Sequence, residues 1–224
     1  MDREAPGAGV KKLRTPRAAG IAGIAFSVLL AVAIVLLRIS TPSNEARPGA
    51  WLTDSGQRHT LALGLGLIPF AGIAFLWFMG VVRDRIGERE DRFIATVFLG
   101  SGLLFVAMLF AGAAVAGAIA ATADAPTGSP LRADLLETER RITEQLLDVY
   151  ALRMAGVFVI STTTIAFRTG ILPRWLGVFG YASALILLVN SGTVPWANLV
   201  FPLWAFVLSI HILRVAPKDE HEPA

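Results

Sequence analysis

Long apolar runs constrain this chain more than any motif in it. Residues 18–37, 60–82, 93–122, 149–167, 175–190 and 196–213 are separated by short polar segments, and each meets or approaches the roughly 20 residues a helix needs to cross a bilayer. In lipid every backbone N–H and C=O must be satisfied within the chain, so such runs are helices. The expected fold class is all-α, a polytopic transmembrane helical bundle of about six spans filling residues 18–214. Composition agrees. Hydrophobic residues make up 54% and charged residues 17%, with a mean hydropathy of +0.62, outside the range of a soluble domain.

The sequence pI of about 9.8 invites a nucleic-acid partner, but the placement of the cations argues against one. Of the 20 Lys and Arg, 13 fall in residues 1–17, the 83–92 turn, the 168–174 turn and the tail, 6 in the other polar segments, and Arg153 within a span. By the positive-inside rule both termini are cytoplasmic. The abundance of Arg, Ala and Gly points to a GC-rich bacterium, hence to a bacterial inner membrane with lipid as the surrounding partner. Residues 1–17 form a basic tail, and residues 215–224 are polar and expected to be disordered. The first run ends in Arg38-Ile39-Ser40 rather than in a small-residue cleavage site, so it reads as a retained span and not a signal peptide.

The second span carries Pro69, which removes a backbone hydrogen bond and kinks a helix. The third, about 30 residues or roughly 45 Å of helix, exceeds a hydrocarbon core of about 30 Å and must tilt or protrude. Gly100, Gly102, Gly112, Ala113, Ala114 and Gly117 within it permit close helix approach. That marks it as the expected central helix and as a contact for a protein partner or a second copy. Ser129-Pro130 is an N-cap and first-turn pair opening a helix over 130–147, extracytoplasmic under the same topology. Leu131, Leu135, Ile142, Leu146 and Val149 recur at helical spacing, with Arg132, Glu137, Glu139, Arg140, Arg141 and Glu144 mostly on other faces. Mixed charge favours packing on protein over recruitment by anionic lipid. This helix is expected to lie on the outer surface or against the first loop, where Trp51 is an interface anchor, and to turn inward near Asp148.

Catalytic apparatus is not legible. The chain has no Cys, hence no disulfide, thiolate or Cys-ligated metal. It shows no Gly-rich phosphate loop, Ser/His/Asp set or carboxylate pair, so neither an enzyme nor a cofactor is expected. His59, His211 and His221 are scattered and make no metal site. His211, one turn before Arg214, reads as an interfacial histidine or, alternatively, as a proton relay. Arg153 comes about four residues into the fourth span, roughly 6 Å below its edge. Its guanidinium either snorkels to the headgroups or turns inward to an anionic group. Asp148, five residues away, is not its helical partner. Ser161, Thr162, Thr163 and Thr164 bond back to their own helix or line a cavity. Two functions lead: a structural or regulatory membrane subunit, or a small carrier or lipid-binding protein with a polar site of Arg153 and these hydroxyls; an enzyme on lipid substrates comes third, with the absence of a paired acid and base against it.

The turn Gly170-Ile171-Leu172-Pro173-Arg174-Trp175-Leu176-Gly177, between a span ending in Arg168 and a short apolar span, resembles the corresponding turn of a broad family of uncharacterised bacterial six-helix membrane proteins. The order of spans is similar too. The resemblance covers the carboxy-terminal third and implies a six-helix fold with no activity to carry over. Gly80, Asp84-Arg85, Gly87 and Arg89 resemble the cytoplasmic loop motif of major facilitator transporters, which implies a latch between neighbouring helices. Glu88 stands where that motif is usually basic, and the chain has half that family's number of spans.

Overall fold

The structure, a computed structural model, describes residues 15–41, 54–86, 92–122, 130–170, 172–190, 194 and 196–215. Helix α1 is Thr15–Ser40, α2 Ser55–Ile86, α3 Arg92–Ala121 and α4 Pro130–Glu144. A π-helical segment, Gln145–Ala151, joins α4 to α5, Leu152–Arg168. Then come α6, Arg174–Val189, a short 3₁₀ turn, Ala197–Leu199, and α7, Val200–Val215. No strand occurs among the described residues, and the fold is an all-α bundle. Five stretches are long and apolar enough to cross a membrane, namely Gly20–Ser40, Ser55–Arg83, Phe93–Ala121, Asp134–Arg168 and Ala197–Val215. The sixth, α6, is apolar but only 16 residues long. The chain is a multi-pass membrane protein.

Local chemistry sets the ends of these helices. The Asp54 carboxylate accepts the Gly56 and Gln57 amides at 2.8 and 3.3 Å, satisfying first-turn donors of α2 that have no helical partner. After α5, Gly170 adopts φ 70°, a left-handed conformation that carries no steric cost for glycine. The Gly170 and Leu172 amides reach back to the Phe167 and Ala166 carbonyls at 3.2 and 3.3 Å, closing the helix by a left-handed cap. Pro173, extended at φ −66° and ψ 152°, then launches α6. Ser129, Trp51, Gly87, Arg89, His221 and residues 1–14 and 216–224 of the two tails lie outside the described residues, while Thr15–Arg17 already belong to α1 and Val215 to α7.

Aromatic rings hold the core together. Phe26 of α1, Phe75 of α2, Phe105 of α3, Phe158 of α5 and Phe201 of α7 are each 3% exposed or less. Phe75 lies 4.8 Å from Phe26, 5.1 Å from Phe105 and 5.0 Å from Phe158, while Phe105 and Phe201 are 4.9 Å apart. Tilted and edge-on pairs at these separations place positive ring edges on negative faces. Phe98 stacks on Phe158 at 4.9 Å and Trp204 on Phe201 at 6.1 Å. Five helices therefore meet at one packed level, and α6 contributes no ring to it.

One expectation is corrected here. The small-residue helix α3 is not the central one: 61% of the apolar window in Asp134–Arg168 is buried, against 28% in α3. Small residues permit close approach but do not say which face is approached. Near Asp148, the expected place of the inward turn, the chain stays helical and changes type. Backbone angles stay helical at Glu144 (−60°, −43°) and Leu152 (−65°, −38°), so α4 continues into α5 through one wide π segment.

Candidate functional site

Helix α5 carries most of the residues singled out above, and its two faces differ. Leu152, Ala155, Phe158, Val159, Thr162 and Ile165 point into the bundle. Tyr150, Ile160 and Phe167 are 53%, 37% and 48% exposed, and the half-buried Arg153, Val157 and Thr164 recur between them at spacings of three and four. That recurrence places all six on one outward stripe. Arg153 thus faces out of the bundle. Among the described residues it has no hydrogen bond or ion pair.

The four hydroxyls do not join it. Ser161 donates to the Val157 and Phe158 carbonyls at 2.8 and 3.0 Å, and Thr162 to Phe158 at 2.7 Å, bonding back to the preceding turn. Thr163 is fully buried and its hydroxyl has no partner among the described residues; it fills the notch at Gly180 of α6. Thr164 pairs with the Tyr181 hydroxyl at 3.1 Å on the exposed side. Arg153 and the buried hydroxyls Ser161, Thr162 and Thr163 are therefore on different faces and form no common cavity.

Other marked residues stand apart. His211 is half-buried in α7, and Gly80 of α2 has nothing within 4 Å of its Cβ direction. Asp84 and Arg85 fall in the last turn of α2. No group of three metal-ligating side chains exists among the described residues. A groove of about 470 Å³ between α1 and α7, lined by Ser27, Val28, Ala31, Trp196, Val200 and Phe206, is apolar apart from Ser27, whose hydroxyl is bonded to the Gly23 carbonyl at 2.6 Å.

Sequence reasoning missed one polar link. Asp148, in the π segment, accepts a hydrogen bond from the Asn198 side-chain amide at 2.6 Å, tying it to the 3₁₀ turn before α7. Fifty residues separate the two, and no local periodicity signals such a pair. Tyr181, the partner of Thr164, was equally silent. On α4, Arg140 pairs with Glu137 at 2.9 Å and with Glu144, and Arg141 with Glu137 at 2.7 Å. The hydrogen bonds from Arg140 and then Arg141 hold the Glu137 carboxyl down at about 2.

Comparisons with protein-family models, curated proteins and solved structures find no match.

Proposed function

We propose that this chain is a non-enzymatic structural or regulatory membrane subunit that associates laterally through α3 and α4. Both termini then lie in the cytoplasm of a bacterial inner membrane, with α4 on the opposite side, as the distribution of Lys and Arg favours. The observation that carries the reading is the outward face of α3. Leu103, Leu104, Ala107, Ala111, Ala114 and Ala118 are exposed and fall on one arc of the helix. Within it Ala107 and Ala111, and Ala114 and Ala118, are small residues four apart, the spacing that lets a second helix come close. Lipid tails are as apolar as any side chain, so the gain on association is close packing. On α4, exposed Leu135 (56%) and Ile142 (46%) sit beside Glu137, Arg140, Arg141 and Glu144, charges of both signs that suit a protein surface.

The absence of native Cys makes the test direct. Ala111→Cys and Ala114→Cys, oxidised in native membranes, should crosslink to a second copy or to another protein. Val106→Cys, facing the core, should not. Chains that stay solitary at every outward α3 position would sink the idea.

A further inference from the structure

We propose that the bundle holds a recess on the α5, α6 and α7 side of its α4 end, and that the phosphate of a membrane phospholipid settles into it on Arg153. The proposal does not depend on the lateral partner suggested above.

Contacts between neighbouring helices fix their relative heights. A Cβ on Gly102 or Gly112 of α3 would meet Phe158 at 3.2 Å and Leu147 at 2.5 Å. These antiparallel pairings put Ala107 level with Arg153. A Cβ on Gly156 of α5 would meet Leu188 and the Ala184 carbonyl of α6 at 2.8 and 3.3 Å. Continued by one turn, that pairing puts Arg153 level with the last turn of α6, which ends at Val189. Above that level α3 runs on from Ala107 to Ala121, about 21 Å of apolar helix at 1.5 Å per residue. At the same level α6 has ended at Val189; among the described residues that follow, Val194 and Trp196 are exposed and Asn198 makes the link to Asp148.

One bilayer cannot match both sides. Helix α6, bounded by Arg174 and Asn190, spans about 24 Å, short of a hydrocarbon core of about 30 Å. A short span draws the headgroups inward by thinning the bilayer around it. Arg153 supplies the compensating attraction. It faces outward and no described side chain neutralises it, while Asp148, the nearest acid in sequence, is engaged by Asn198. A guanidinium in lipid needs an anion, and its planar fork fits phosphate oxygens two at a time. Tyr150, 53% exposed and three residues before Arg153 on the same stripe, has the amphipathic ring that sits at headgroup level. Further along the stripe, the Thr164–Tyr181 pair interrupts the apolar band, which resumes at exposed Phe167. Only residues 154–163 separate the two polar points, about 15 Å.

The test uses the full chain in phosphatidylcholine vesicles containing a trace of phospholipid with a photoreactive headgroup. Labelled residues are mapped by mass spectrometry after irradiation. Label should fall on residues 150–157 and the last turn of α6, and not on Ala107 of α3 at the same height. Arg153→Leu should lower it several-fold, and Arg153→Lys should retain most of it. Excess inorganic phosphate should leave it unchanged. Equal labelling of Ala107 and the Arg153 region in the wild-type chain would overturn the recess, and this needs no variant. Equal labelling in Arg153→Leu would overturn the role of Arg153, and displacement by inorganic phosphate would mean a water-borne anion site instead.

Discussion

The α3 side and the α6 side of the bundle use the same residue types to opposite ends. Helix α6 places Gly177 and Gly180 against Phe167 and Thr163 of α5, and Gly156 of α5 returns the contact on Leu188. Every notch in that seam is filled from within the chain. On α3 the outward alanines face away from the protein, and Gly100 has nothing within 4 Å of its Cβ direction. Helix α6 is short and relies on its neighbour; α3 is long and leaves a face open. A small-residue pattern therefore records that something comes close, and only the packing says whether it is the same chain.

The seam is the place where this contrast is easiest to break. A side chain at Gly180 would collide with the Thr163 hydroxyl and lie 2.9 Å from its methyl group. Gly180→Val should cost about 1–3 kcal/mol by overpacking, read as a fall in thermal unfolding temperature in detergent. Thr163→Ala should recover part of the loss, a coupling that a double-mutant cycle measures. Full wild-type stability of Gly180→Val would mean that α5 and α6 do not pack this way.

Thr163 offers a second and opposite change. Its buried hydroxyl has no partner among the described residues, and an orphaned polar group costs about 1–3 kcal/mol. Thr163→Val keeps the shape, removes the hydroxyl and should raise the unfolding temperature. On the other side, Ala111→Leu should shift stability by no more than about 0.5 kcal/mol, as for an exposed site. It should nonetheless abolish crosslinking from Ala114→Cys. Loss of stability with crosslinking intact would reverse the assignment of that face.

The smallest effect belongs to α4. Glu137 titrates at about 2 instead of its ordinary 4.5, so its folded value is depressed. The contribution of its ion pairs is complete above pH 4.5 and is lost as pH falls from there through about 2. Protection factors of α4 amides, corrected for the pH dependence of intrinsic exchange, should fall over that window while those of α3 stay constant. Both partners are substantially exposed, so the change is confined to this helix.

Much of the scaffold is legible in sequence because lipid leaves few choices. Hydropathy marks the helices, Pro130 stands at the first position of α4, and Gly170 sits where a left-handed residue is needed. The faces were harder to read. Arg153 carries the same letter whether it looks inward or outward, and its direction follows only from the burial of Leu152 and Ala155 beside it. The four hydroxyls from Ser161 to Thr164 are consecutive and so must diverge around a helix; adjacency in sequence suggested one site where geometry gives two. Asp148 and Asn198 needed the fold to meet at all.

The unbroken helical course from Pro130 to Arg168 is a rod with a contour length of about 58 Å at 1.5 Å per residue. Its inner half is clamped by Phe158 and the rings around it, and its α4 end packs along α3 and carries ion pairs of its own. Such a rod is a lever. A sideways load on Leu135 or Ile142 becomes a torque about the π segment, where the Asp148–Asn198 bond ties it to α7. A partner gripping α4 would have leverage on the start of α7 without touching it, and the Asp148–Asn198 bond would be the fulcrum.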